Sequence, residues 1–80
     1  MEKALKELDP ETSAFKILVY LTFKDTPMKP IDIARVLGEN SSSVRARLAE
    51  LKQKELVENT SEGYVASTTY YDVLMKLFKA

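Results

Sequence analysis

The fold is decided by the stretch KPIDIARVLGENSSSVRARLAELKQKELVENTSEGYVAS, which runs from Lys29 to Ser67. Apolar residues recur in it at helical spacing on both sides of Gly38, first at Ile31, Ile33, Ala34 and Leu37 and then at Val44, Leu48 and Leu51. Two segments of alternating pattern follow, which is typical of a β-hairpin. The stretch therefore predicts two short helices around a tight turn and a two-stranded hairpin, elements too short to stand alone.

Length and composition predict one small globular domain spanning residues 1–80. Eighty residues, 45% of them hydrophobic, bury only about 60–65% of the surface of the unfolded chain, so dimerisation would help such a domain. The chain has no cysteine and no histidine, which removes thiolate metal sites, the usual zinc ligand and the usual general base. We expect no metal, no cofactor and no small-molecule ligand. An enzyme is disfavoured, since carboxylates such as Asp25 and Asp32 have no predicted shared pocket.

The chain carries no pattern that predicts membrane insertion or export. It has no run of about 18 apolar residues that could span a bilayer. Its amino terminus, MEKALKELDP, lacks the apolar core of a signal peptide. We therefore expect a cytoplasmic protein with no membrane partner.

The charges balance overall but not locally. Twelve Lys and Arg residues and twelve Asp and Glu residues give a net charge of zero, so the protein has no overall basic field. Between Asn40 and Leu56, four cations, Arg45, Arg47, Lys52 and Lys54, face two acids, Glu50 and Glu55. Any affinity for nucleic acid must come from this local surplus.

A further helix precedes the central stretch. Asp9 is able to cap it and Pro10 suits its first position, which predicts a helix from Pro10 to about Lys24, with residues 1–9 as a frayed extension. Apolar residues surround almost its whole circumference, so we expect it to be buried on more than one side. The prolines that follow predict an extended connector, which adds a short third strand to the hairpin.

Local signals set the ends of the two central helices. Gly38 ends the first helix in the left-handed conformation that glycine tolerates. Asn40 or Ser41 caps the second helix, expected over residues 41–54. These signals place the turn of the helical pair at residues 38–40.

The hairpin and the last helix have signals of their own. Strands are expected at 56–59 and 64–67, around a turn in which Gly63 supplies a positive φ. Thr69 and Asp72 are spaced as a capping box, which predicts that the last helix begins near Thr69.

The segment LGENSSSVRARLAELKQKELVE, residues 37–58, resembles the turn and second helix of the winged helix-turn-helix superfamily, of the kind found in small bacterial and archaeal transcription regulators. The resemblance covers roughly residues 11–80. It implies a mostly α fold with a small β-hairpin, in the α+β class, with the order α-β-α-α-β-β-α. In that superfamily the second helix of the motif enters the major groove of DNA, and the hairpin, or wing, lies along the backbone or minor groove.

A helical wheel places a ridge of small residues opposite the apolar face of helix 41–54. Small residues let the helix approach the floor of a DNA groove, flanking guanidinium groups can reach phosphates or guanine, and serines at the amino end offer hydroxyls and free amides to a phosphate. The candidate DNA-binding residues are Ser41, Ser42, Ser43, Arg45, Ala46, Arg47, Ala49 and Gln53. Alternatively, the serines serve only as cap and first turn, and the arginines are solvated or pair with Glu50 and Glu55.

The chain departs from the superfamily pattern in two places. Many relatives have glycine before the leucine that starts the wing, whereas this chain has Glu55, so we expect the helix to end without a left-handed cap. The only charges of the wing are Glu58 and Glu62, which repel a polyanion, so we expect the wing to contribute little to DNA affinity. Tyr64 at its base is interpreted as a core or edge residue rather than a stacking platform.

The last helix carries an apolar arc wider than one small core needs. Together with the first helix it predicts a homodimer whose interface contains Phe15, Val19, Phe23, Tyr70, Tyr71, Leu74, Met75 and Phe78. Alternatively, the first helix covers the whole arc within one chain. A dimer would place two reading helices about 34 Å apart and predicts a pseudo-palindromic site.

Two functions are compatible with these patterns. The first is a homodimeric, sequence-specific transcription regulator that reads double-stranded DNA with helix 41–54. The second is a winged-helix module for protein–protein contacts in a replication, repair or other multiprotein assembly. Zero net charge and the acidic wing favour the second, and the arginine-flanked ridge favours the first. The fold alone does not decide between them.

Overall fold

The computed structural model describes residues 12–24 and 26–79, over which the chain is small, mostly helical and of the α+β class, as predicted. The helices are α1 (Ser13–Thr22), α2 (Pro30–Leu37), α3 (Ser41–Gln53) and α4 (Tyr70–Lys79), and the strands are β1 (Val57–Thr60) and β2 (Gly63–Ala66). The strands form an antiparallel hairpin, with Val57 paired to Ala66 and Thr60 to Gly63. The hairpin thus lies between α3 and α4 in the chain, where the sequence places it.

The predicted short strand before α2 is a single bridge instead. Met28 exchanges two backbone hydrogen bonds with Tyr64 of β2, at 3.0 and 2.8 Å. Pro30, two residues further on, has no N–H for the next hydrogen-bonded pair, so the pairing does not extend. The predicted element order is corrected in this one position, to helix, bridge, helix, helix, strand, strand, helix.

The helix α1 is shorter than the sequence predicts. The side chain of Thr12 accepts a hydrogen bond from the N–H of Phe15 at 3.3 Å, which makes Thr12 the N-cap. The helix therefore begins at Ser13 and not at Pro10, because a threonine nearer the apolar run supplies the capping oxygen. It ends at Thr22 rather than Lys24. The expected cap at Asp9 and the expected frayed extension lie outside the described residues.

The core forms where α1, α2, α3 and the start of the hairpin meet. The buried apolar residues are Ala14, Phe15, Ile17, Leu18, Leu21, Ile33, Ala34, Val44, Leu48, Leu51, Leu56, Val57 and Val73. The buried residues of α1 lie within one broad arc, while Val19 and Tyr20 are half-buried and Phe23 is 64% exposed. Within the described residues of one chain α1 is thus buried over one arc, and the expected cover of its other side by a second copy of the chain stays a prediction.

The caps around α3 and α4 agree with the local signals. Gly38 has a φ of 66°, and the side chain of Asn40 accepts the N–H of Ser42 at 2.8 Å. Asn40, not Ser41, therefore caps α3. The hydroxyl of Thr69 accepts the N–H of Asp72 at 3.2 Å, which is one half of the predicted capping box, while the carboxylate of Asp72 accepts from the hydroxyl of Thr68 at 3.3 Å.

The carboxyl end of α3 does have a left-handed cap, so the prediction of an end without one is wrong. Glu55 has a φ of 61°. The N–H of Glu55 donates to the carbonyl of Lys52, and the N–H of Leu56 donates to the carbonyl of Leu51, both at 3.0 Å. This is the Schellman pattern, in which an apolar residue follows the cap and packs inward. Leu56 is fully buried, and its burial with the two hydrogen bonds outweighs the left-handed strain of about 1–2 kcal/mol.

Replacement of Glu55 by glycine should therefore stabilise the protein. We expect Glu55→Gly to raise the free energy of unfolding by roughly 0.5–1 kcal/mol, because relief of the strain exceeds the entropy that glycine adds to the unfolded chain. The midpoint of thermal unfolding should rise by about 4 °C. Glu55→Ala is the matched control, since it removes the same charge and keeps the strained Cβ. Equal midpoints for the two variants would contradict a strained cap.

Candidate nucleic-acid interface

The helix α3 turns one face to the core and the opposite face to solvent, in the phase that the sequence predicts. Val44, Leu48 and Leu51 are fully buried. The opposite side chains, which we call the α3 ridge, are Ser42, Ala46, Ala49 and Gln53, and all of them are exposed. The ridge consists of small or uncharged side chains, so a partner surface can approach the helix backbone closely.

The two arginines beside the ridge are not used within the chain. Arg45 and Arg47 are both exposed. Among the described residues neither forms an ion pair, so the alternative in which they pair with Glu50 or Glu55 has no contact to support it. Both guanidinium groups are therefore available to a partner outside the chain.

The three serines at the start of α3 differ in their surroundings. The N–H and the hydroxyl of Ser42 both donate to the side chain of Asn40, so Ser42 belongs to the cap. Ser41 is half-buried and Ser43 is exposed. Ser43 is therefore the exposed serine that lies outside the cap hydrogen bonds.

A groove at the amino end of the ridge contains residues that the helical wheel does not indicate. Its lining residues are Ser13, Glu39, Ser42, Ser43, Ala46 and Arg47. The carboxylate of Glu39 accepts a hydrogen bond from the hydroxyl of Ser13, and its other oxygen lies 3.4 Å from Nζ of Lys16. Ser13 and Glu39 are 26 residues apart in sequence, so no local pattern reveals this contact, which the packing of α1 beside the helical turn creates.

The hairpin adds negative charge beside the other end of α3. Glu58 and Glu62 are exposed, and Lys52 shares a second groove with Glu55 and Glu58. These acids offset the positive charge at the carboxyl end of the helix. The ring of Tyr64 packs against the core, as its interpretation as a core or edge residue predicts. The positive part of this face is thus the amino-terminal half of α3.

A large apolar surface lies on α4. We call it the α4 patch, and its members are Phe23, Tyr70, Tyr71, Leu74, Leu77 and Phe78, between 45% and 83% exposed. The rings of Phe23, which follows α1, and Tyr70 stack with centroids 5.6 Å apart, so the end of α1 joins the surface of α4. Among the described side chains of α4, only Val73 belongs to the buried core, so α1 does not cover the whole arc within one chain.

The remaining residues of the predicted dimer interface are less accessible than the patch. Phe15 is 6% exposed, because it packs into the chain's own core, so its predicted place in an interface is corrected. Val19 and Met75 are half-buried. The accessible part of the predicted interface is therefore the α4 patch, with Leu77 added to it.

Comparisons with protein-family models, with curated proteins and with solved structures find no match to this chain. Over residues 12–24 and 26–79, no helix has the length and apolar character needed to cross a membrane.

Proposed function

We propose that this chain is a winged helix-turn-helix protein that binds double-stranded DNA as a homodimer and regulates transcription in the cytoplasm of a bacterium or archaeon. The observation that carries the proposal is the exposed α3 ridge flanked by Arg45 and Arg47, neither of which is paired among the described residues. A helix of this kind fits the major groove, where its small residues face the floor and its arginines reach phosphates or a guanine edge. No cofactor and no catalytic step are part of the proposal.

The distribution of charge sets the size of the expected electrostatic effect. A dimer would bring two arginines per chain to the duplex, and a protein releases about 0.9 counterion for each phosphate that it neutralises. A plot of the logarithm of the binding constant against the logarithm of the salt concentration should therefore have a slope of roughly −3 to −4. This slope is modest for a DNA-binding protein, because only two arginines per chain contribute to it.

Removal of either arginine should flatten the salt dependence. We expect Arg45→Ala or Arg47→Ala to reduce the slope by about 0.9 per chain, as measured by fluorescence anisotropy of a labelled duplex at several salt concentrations. Arg35→Ala is the control, because Arg35 lies on α2 and is 3.5 Å from Asp32. If the salt slopes of Arg45→Ala and Arg47→Ala both equal that of Arg35→Ala, the assignment of Arg45 and Arg47 to the DNA interface is wrong.

The α4 patch supports the dimer. From the size of aromatic and aliphatic side chains, the patch exposes roughly 600–700 Å², compared with about 800 Å² per partner in an interface of standard size. Monomeric proteins rarely leave so large a continuous apolar surface in water. A second copy of the chain, related by a two-fold axis, presents an identical surface to cover it.

A charge in the centre of the α4 patch should separate the subunits. We expect Leu74→Glu to be monomeric at concentrations where the unmodified protein is dimeric, since a carboxylate would be buried opposite its own copy. Light scattering coupled to size-exclusion chromatography measures this directly. Val36→Glu is the matched control, because Val36 is also an exposed apolar residue, 57% exposed compared with 45% for Leu74, but lies on α2. A monomeric unmodified protein at high micromolar concentration would rule out the dimer.

A second candidate function is a winged-helix module that binds another protein. The exposed acids Glu58 and Glu62 of the hairpin support it, because they repel DNA and would attract a basic protein surface. The salt titration separates the two functions, since a protein-binding module would show no salt-dependent affinity for a duplex.

A further inference from the structure

Glu39 is held in place by one contact of its backbone and two of its side chain. Its backbone N–H donates to the carbonyl of Ala34 at 2.9 Å, which closes the end of α2. Its carboxylate accepts from the hydroxyl of Ser13 and lies 3.4 Å from Nζ of Lys16. The side chain is only 18% exposed. Its negative charge therefore has a fixed position at the edge of the α3 ridge.

This fixed charge lies in the groove that a DNA backbone would approach. Glu39 lines the groove together with Ser43, Ala46 and Arg47. The positive charge of Lys16 and the negative charge of the Glu39 carboxylate offset each other, so the pair contributes no net attraction for phosphate. Without Glu39, the charge of Lys16 would be unpaired near the groove that Arg47 lines.

We infer that Glu39 limits the attraction of the α3 face for the phosphate backbone and thereby makes binding depend on contacts with bases. The inference rests on the proposed function and names a specificity-determining residue for it. Affinity for backbone alone is independent of sequence, so a protein that suppresses it discriminates better between its own site and other DNA.

The test compares charge variants of the pair on a duplex of random sequence. Glu39→Gln keeps an acceptor for the hydroxyl of Ser13 and frees Lys16, so affinity should rise about fivefold at low salt and the salt slope should steepen by about 0.9 per chain. Lys16→Gln exposes the carboxylate and should lower affinity several-fold. The double variant restores a neutral pair, and its affinity should return to within about twofold of the unmodified protein.

Asp32→Asn is the matched control. Asp32 is also an acid within ion-pair distance of a base, 3.5 Å from Arg35, but neither residue lines the groove at the ridge. Thermal unfolding of each variant verifies that it folds. The slope is the deciding readout, because a purely structural role of Glu39 would change affinity without adding a counterion.

The outcomes separate the inference from the function on which it rests. If the unmodified protein binds the duplex with a salt-dependent affinity and Glu39→Gln behaves like Asp32→Asn, the inference is wrong and the proposed function stands. If the unmodified protein shows no salt-dependent binding, the proposed function is wrong and the role of Glu39 falls with it.

Discussion

Ala46→Glu should weaken DNA binding by at least about 100-fold and leave the fold intact. Ala46 is exposed in the middle of the α3 ridge and lines the groove beside Arg47. A glutamate there would place a longer side chain and a negative charge against the floor of the major groove, and an unpaired like charge at such a contact costs several kcal/mol. Glutamate is also a good helix former, so the free energy of unfolding should change by no more than about 0.5 kcal/mol.

A neutral variant of the same size separates the two causes of this loss. Ala46→Gln adds nearly the same volume without the charge, so it should bind more weakly than the unmodified protein and more tightly than Ala46→Glu. Anisotropy titration gives the affinities, and circular dichroism gives the helix content. Unfolding of Ala46→Glu would mean that the face of α3 has been assigned incorrectly. Unchanged affinity in a folded variant would remove the ridge from the interface.

Gly63→Ala should be the most destabilising single-methyl change in the hairpin. A Cβ at this position would lie 2.6 Å from the carbonyl carbon and 2.7 Å from the carbonyl oxygen of Met28, and the φ of Gly63 is 138°. These contacts are with backbone atoms, which cannot move aside as a side chain can. We expect a loss of about 3 kcal/mol from overpacking and left-handed strain together, a large part of the roughly 5–10 kcal/mol that holds a domain of this size folded.

Gly38→Ala is the matched control for this change. Gly38 has a φ of 66°, and a Cβ there would meet nothing within 4 Å. Only the backbone strain remains, so the loss should be about 1 kcal/mol. Urea denaturation of the two variants measures the difference. Equal losses would mean that the backbone of Met28 does not lie against Gly63, and they would contradict the bridge between Met28 and Tyr64.

The parts of the fold that sequence reasoning predicts well are those with local signals. Gly38 and Asn40 mark the turn between α2 and α3 because each carries out its role on neighbouring backbone groups. The phase of α3 follows from Val44, Leu48 and Leu51, whose spacing has one helical interpretation. Fold class, the turn and the exposed ridge could all be predicted for this reason.

The parts that could not be predicted depend on residues distant in sequence. Glu55 adopts a left-handed conformation because Leu56 is drawn into a core that other elements build. Met28 pairs with Tyr64 across the hairpin, and Glu39 meets Lys16 only when α1 packs beside the turn. A wheel for α4 gives the width of its apolar arc and not how much of it the same chain buries. The charged edge of the candidate interface was therefore not visible in the sequence.

The central claim is that the α3 ridge contacts the duplex. The most direct measurement is the change in backbone amide chemical shifts when a duplex of about 20 base pairs, two turns of the double helix, is added to isotope-labelled protein. Binding through α3 predicts shifts concentrated in residues 41–53, with Arg45, Ala46 and Arg47 among the largest, and small shifts in α4. Shifts confined to the hairpin or to the α4 patch, or no shifts at all, would contradict DNA recognition by α3.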